Sequence, residues 1–511
     1  SAAEKKMLRA WRYDAEEQWH QSRSPLENVL AEGFELLRWS VLAASTIGPG
    51  TVIVCSKAGY QYAYRLLWAL VLASFVAYAL QEGSARLSIR GRTTLGGAMR
   101  KFMQKQICTS VAVGILIGNT AYQANNFVGA AEALYALGVP RNNPGIRVVI
   151  HLLLMMAILA TLFLGDVDRV SAALGVVSIL MIVVFGVAVG ELGVNGSKLF
   201  LGLLPSVPPS GSAVVAVSLV ATTAVPFNAF LASCSAKPPK TSGERAASTA
   251  VSSMRRGVTL STWIAAILSI LIAATGAGVA RRGDVDGSYS VETLVDALRE
   301  AEGKVAVFAF GLGLYAAAFS STLTVALGAA LCLGSLLSDK DDATWKPPHG
   351  KNARFVILGV NFIAFLVGAS GAPTVPVVLV AQVVNGLLLP VVALCLVLCF
   401  ESPKVISTPQ PLLRSAALVF SFATTVFLAA DGVLSKVADA SVAINVAFAL
   451  SILATVGLIA LLWWMRKGRS KEQAEFELSC RELPVPNPLA SQLGSPSLTR
   501  RAVDTNVAPA P

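Results

Sequence analysis

Residues 45–54, STIGPGTVIV, lie inside an apolar run long enough to cross a bilayer. A proline removes one backbone hydrogen bond from a helix, and a glycine on either side weakens it further. A helix with Gly48-Pro49-Gly50 at its centre is therefore either kinked there or broken so that freed backbone groups can hold something. A second interrupted span bears on the choice. In residues 222–230, TTAVPFNAF, Pro226 stands near mid-span, five spans further along the chain. Backbone groups freed at mid-bilayer are tolerated only where they line a cavity or are buried in protein. Broken helices at matching positions of two halves point to a transporter built from inverted repeats. Two independent proline kinks are the alternative.

Composition places these segments in a membrane. The 511 residues are 54% hydrophobic and 14% charged, whereas a soluble domain carries about 25% charged residues. Mean hydropathy is +0.64. Uncharged stretches of about 18 residues or more mark membrane helices. Twelve spans are expected, at 38–62, 66–87, 107–138, 147–164, 169–194, 212–235, 257–280, 304–337, 353–371, 374–400, 412–436 and 441–465. The fold class is thus an all-α polytopic membrane protein. Spans one to ten (38–400) form a 5+5 inverted repeat, and 412–465 adds two helices.

Loop charge sets the orientation. Arg86, Arg90, Arg92, Arg100, Lys101 and Lys105 fall between spans two and three with no acid among them. Residues 237–256 are likewise basic, while 281–304 is mixed. The positive-inside rule then puts both termini in the cytoplasm. Residues 1–37 read as a charged cytoplasmic segment without a signal-peptide core. With Ser at position 1, a targeting segment can lie upstream. Residues 466–511 read as a polar, disordered tail. Ser290 is expected to cap a short extracytoplasmic helix in SVETLVDALREAEG.

Several function classes drop out. The net charge of +11 follows from basic loops, so no nucleic-acid partner is expected. None of the seven cysteines forms a CxxC pair, and they read as small buried hydrophobes. No Walker loop, GxSxG or HExxH occurs, so the chain is not expected to be an enzyme or to need a cofactor. Any transport is driven by gradients. The partners expected are the lipid bilayer and a transported metal cation or small polar solute; the oligomeric state stays open.

The stretch GPGTVIVCSKAGYQYAYRLL (48–67) resembles the first helix of the Nramp divalent-metal transporters, where the break reads Asp-Pro-Gly-Asn. LQEGSARLSIRGRTTLGGAMR (80–100), NNFVGAAEALYALGVP (125–140), AVPFNAFLASC (224–234), AAFSSTLTVALGAA (317–330) and AQVVNGLLLPVV (381–392) are similar to later segments of that family, in order. The resemblance covers roughly residues 36–400. It implies a LeuT-like architecture with broken helices one and six, rocking against spans three, four, eight and nine.

The same resemblance exposes departures. The family's metal-binding Asp and Asn fall at Gly48 and Thr51, its Met at Val225, and a following His at Phe227. Its proton-carrying Asp-x-x-Glu appears as Gln123 and Asn126, and a second Gln as Leu388. No ionisable group is left where a dehydrated divalent ion needs strong oxygen ligands. What remains is Thr51, Asn228, the backbone of Gly48-Pro49-Gly50 and of Thr223–Ala224, with Thr222 and Gln382. This neutral, hard set suits a cation that keeps much of its water, such as Mg²⁺, or a small polar solute, and proton coupling is expected to be lost. A non-transporting receptor or scaffold with the same fold is a further alternative.

Other charged residues divide more simply. Glu82 is expected to pair with Arg86 one turn on. Glu132 reads as an interfacial carboxylate reaching water, with a coupling role as the alternative. Lys57 either snorkels outward or stands as a fixed charge near the break. Asp431 and Asp439 read as interfacial, and Trp463-Trp464 as an anchor.

Overall fold

The computed structural model describes residues 47–165, 181–236, 238–239, 243–282, 289–339, 342–406, 408 and 410–482. Helices α1 (Pro49–Tyr62), α2 (Leu67–Gly91), α3 (Leu95–Phe102), α4 (Lys105–Ala136) and α5 (Pro144–Leu164) come first. They are followed by α6 (Met181–Glu191) and α7 (Gly196–Gly202). Then come α8 (Ala213–Thr223), α9 (Pro226–Ser235), α10 (Glu244–Arg282) and α11 (Val291–Leu337). The last four are α12 (Lys351–Ser370), α13 (Thr374–Glu401), α14 (Leu412–Leu434) and α15 (Ala440–Glu482). Among the described residues there is no strand, and ten segments, α8 and α9 counted together as one, are long and apolar enough to span a membrane. The expected segment 1–37, residues 38–46 of span one, residues 169–180 of span five and residues 483–511 of the expected tail lie outside the described residues.

Local signals explain the ends. Asn143 Oδ1 accepts from the amides of Gly145 and Ile146, and Pro144 opens α5. Ser290 caps α11 by accepting from the Thr293 amide at 3.2 Å. The helix expected after Ser290 is there, but it joins span eight at Gly303, whose φ of 79° turns the chain. α3 lies in the basic segment after span two: Thr94 caps it, and Arg100 reaches the Ser335 carbonyl and Asp339. α15 continues to Glu482, past the span end expected at 465.

Packing sorts these helices within residues 1–462. α4 runs along α11, α12 and α13, while α10 packs on α1 and α2, and α9 on α2. Small residues let backbones touch. A Cβ on Gly59 of α1 would lie 1.8 Å from the Ala273 carbonyl oxygen of α10, and one on Gly276 would lie 2.2 Å from the Ser56 carbonyl oxygen. Leu153, Met156, Phe355 and Leu453 are exposed apolar side chains on outward faces, as hydrocarbon contact requires.

Candidate functional site

Gly48 caps α1 in extended backbone, φ −127° and ψ 179°, and Pro49 takes the first turn, where its missing N–H costs nothing. The Gly48 carbonyl accepts from the amides of Thr51 (3.0 Å) and Val52 (3.4 Å). α1 thus begins at the break. The Pro49 ring fits a notch in α4, since a Cβ on Gly129 would come within 2.1 Å of it. In the other half, Ala224 (φ −103°, ψ 64°) and Val225 (φ −68°, ψ 131°) leave the helical region between α8 and α9.

The two breaks meet. Thr51 Oγ1 and Thr222 Oγ1 are 3.2 Å apart, both buried. A Cβ on Gly50 would lie 2.3 Å from Gln382 Nε2, 3.1 Å from Asn125 Nδ2 and 3.2 Å from Thr222 Oγ1. One on Gly48 would lie 3.3 Å from Ser321 Oγ and 3.5 Å from Asn126 Oδ1. Side chains from α1, α4, α8, α11 and α13 therefore converge on four residues of backbone.

Many polar atoms here lack a protein partner although fully buried: both ends of the Gln382 amide, Asn125 Oδ1, Asn126 Nδ2, Gln123 Oε1 and Ser321 Oγ. Leaving one buried polar atom unpaired costs about 1–3 kcal/mol, so a cluster of them calls for a ligand or ordered water.

The remaining candidates separate. Thr223 Oγ1 turns back to the Leu219 carbonyl at 3.1 Å. Val225 offers only its carbonyl, which accepts from the Asn228 amide. Asn228 is buried in the first turn of α9. Gln123 Nε2 donates to the Thr322 carbonyl (3.1 Å) and Asn361 Oδ1 (2.9 Å), pinning α4 to α11 and α12. Phe227 is buried edge-on to Tyr122, with ring centroids 6.2 Å apart, and against Gly328.

Two readings need correction. Glu132 does not reach water: it is buried, takes two bonds from Arg141 (3.1 and 2.5 Å) and one from Thr374 Oγ1 (2.6 Å). The loop after α4 folds Arg141 back over it, a contact nine residues away that helix periodicity does not show. Asp431 is buried against protein near the C-terminal end of α14 rather than exposed. Lys57 Nζ sits 5.7 Å from the Tyr289 ring centroid. Asn125 and Ser321 were missed, though the adjacent amides of Asn125-Asn126 and the hydroxyl run Ser320-Ser321-Thr322 were the available signals.

A family model for natural resistance-associated macrophage protein-like sequences, Nramp, matches residues 40–436. The chain belongs to the Nramp family. It is 27% identical over 293 residues to the divalent metal cation transporter MntH of Erwinia tasmaniensis, covering 55% of this chain and 68% of that protein. MntH of Yersinia pestis is 24% identical over 310 residues, 59% and 72% of the two chains. In fold, this Nramp chain is similar to a mutant of the Eremococcus coleocola manganese transporter (TM-score 0.60, 18% identity, covering 85% of this chain and 95% of that one). It is also similar to MHP1, a nucleobase-cation-symport-1 family transporter (TM-score 0.53, 13% identity, 84% and 92%). The LeuT-like architecture stands on these neighbours. Where Nramp proteins are expected to carry Asp, Asn and Met, this member has Gly48, Thr51 and Val225. Among the described residues, no group of three or more His, Cys, Asp or Glu is arranged to hold a metal ion.

Proposed function

We propose that this Nramp chain is a secondary transporter whose substrate is a divalent metal cation, taken in partly hydrated form at the junction of α1, α8 and α9. The divalent class rests on the MntH relatives and on the family. The hydrated form rests on one observation, the cluster of neutral buried oxygens and nitrogens without protein partners around Gly48 and Gly50. Mg²⁺ gives up its water reluctantly and usually keeps several molecules of it. Those waters donate hydrogen bonds, and Gln382 Oε1, Asn125 Oδ1 and Gln123 Oε1 are acceptors that need donors. A side-chain amide turned about its last bond presents either atom, so Asn126 and Gln382 adapt as the ion passes. Rocking of the broken helices against α4, α5, α11 and α12 alternates access. Protons are not carried: Gln123 and Asn126 do not titrate, and Glu132 is held by Arg141 and Thr374.

Influx into proteoliposomes tests this, comparing Mg²⁺ with Mn²⁺ with and without a pH gradient. Mg²⁺ flux indifferent to pH and lost in Gly50→Val is expected, since that side chain enters the space of Gln382 and Thr222. Saturable Mn²⁺ uptake accelerated by protons would overturn the hydrated-ion reading. A second reading, a small polar solute, is favoured by the mixture of unpaired donors and acceptors. Silence for both ions, with a neutral solute protecting the Gly50 region from exchange, would support it.

A further inference from the structure

A second unusual site lies away from the breaks, at the end of the bundle that carries the basic segments. Glu82 of α2 is buried, and three guanidiniums crowd one of its oxygens. Arg86 Nη2 and Nε lie 2.5 and 3.1 Å from Oε1. Arg255 Nε of α10 is 3.6 Å away and Arg414 Nε of α14 is 3.9 Å away. One carboxylate neutralises one of the three. Glu401, which takes a bond from Ser415 Oγ, leaves the balance positive even when counted with it. Both Arg86 bonds go to Oε1, and Arg255 and Arg414 stand beyond hydrogen-bond distance of it, so each keeps donors to spare. Arg255 Nε is buried without a hydrogen-bond partner, and Arg414 Nη1 makes only a 3.5 Å contact with Tyr78 OH.

Beside this cluster a cavity of ≈ 340 Å³ opens between α2 and α14, lined by Glu82 and Arg414 together with the apolar Phe75, Leu413 and Phe420. Those three apolar side chains are 41%, 76% and 51% exposed. A surplus of planar cations at one end and an apolar shelf at the other define the occupant. Guanidiniums match phosphate oxygens in paired hydrogen bonds, and basic pockets between membrane helices hold anionic headgroups. We propose that this cavity binds one anionic phospholipid, its phosphate on Arg414 with the charge of Arg255 beside Glu82 adding to the pull, and an acyl chain along Phe75, Leu413 and Phe420. The shelf commits the site to a lipid, because a soluble phosphate gains nothing from it.

The test uses the purified full-length protein and native mass spectrometry. The chain is titrated with phosphatidylglycerol or with phosphatidylcholine of the same acyl chains, with inorganic phosphate as competitor. One tightly held phosphatidylglycerol per chain is expected, preferred over phosphatidylcholine at least tenfold and not displaced by phosphate. R255Q/R414Q should bind it at least tenfold more weakly. Phe420→Ala keeps every charge and should weaken it several-fold, which decides the matter if the double variant does not fold. Equal retention of phosphatidylcholine, unchanged binding in the variants, or displacement by inorganic phosphate would each overturn the proposal.

Discussion

The centre of the bundle and its charged outposts treat polar groups in opposite ways. Around Gly48 and Gly50 no carboxylate is found among the described residues, yet amide and hydroxyl atoms from three helices are buried without partners. At Glu132 the carboxylate is as deeply buried, and both its oxygens are taken by Arg141 and Thr374. Burial of a charge is tolerated when it is paired, so Glu132 needs no ligand to be stable where it lies. The neutral site, with its orphaned atoms, is the one that asks for a ligand.

The largest effect is expected where packing holds the broken helix in place. Gly59→Leu drives a side chain into the Ala273 carbonyl of α10. Overpacking of this kind costs about 1–3 kcal/mol or more, and with backbone in the way the upper end is expected. Size-exclusion profiles should show little folded protein. Gly359→Ala in α12 is the control: nothing lies within 4 Å of its Cβ position, and the melting temperature should not fall. Equal behaviour of the two would remove the packing frame on which the central site depends.

Next comes Glu132→Gln, which leaves Arg141 only the exposed Glu292 carboxylate. Loss of hydrogen bonds to a charged group costs about 1.5–3 kcal/mol, so the melting temperature should drop while the pH dependence of flux stays unchanged. Altered pH dependence without a loss of stability would make Glu132 a proton carrier and erase the contrast with the centre.

Gly48→Asp brings a carboxylate into the neutral cluster. The Cβ contacts with Ser321 and Asn126 at 3.3 and 3.5 Å are tight but outside clash. A preference shifted toward Mn²⁺ by about tenfold, or about 1.4 kcal/mol, is expected in competition flux assays. Adding Val225→Met should extend the shift to softer ions. No shift would show that ion choice is made elsewhere.

The smallest effect concerns a paired carboxylate outside the membrane. Donors from Ser338 and Thr344 hold the Asp342 carboxyl below its ordinary range. A depressed value means the anchor is present above the ordinary carboxylate pKa of about 3.9 and is lost as pH falls through the depressed one. Protection of the Thr344 amide, taken relative to its intrinsic exchange rate at each pH, should hold from neutral pH down to the ordinary carboxylate pKa of about 3.9 and be lost only below it; Asp342→Ala should lack it throughout.

Much of this was legible in the chain itself. Apolar length fixed the membrane helices, because hydrocarbon tolerates only backbone bonded within its own segment. Gly48-Pro49-Gly50 and Pro226 marked both breaks, since proline and glycine act on the backbone locally. The i, i+4 spacing of Glu82 and Arg86 announced their pair. Order and spacing of motifs placed the chain among Nramp proteins, and the absence of Asp, Asn and Met at three positions was plain from the letters. The tertiary structure alone decided which side chains face one another. Asn125 and Ser321 joined the site, Thr223 turned back into its helix, and Arg141 closed over Glu132. Arg255 and Arg414 met around Glu82 from helices far apart in sequence. Periodicity tells which face of a helix a residue occupies, whereas the partner of that face depends on how separate helices cross.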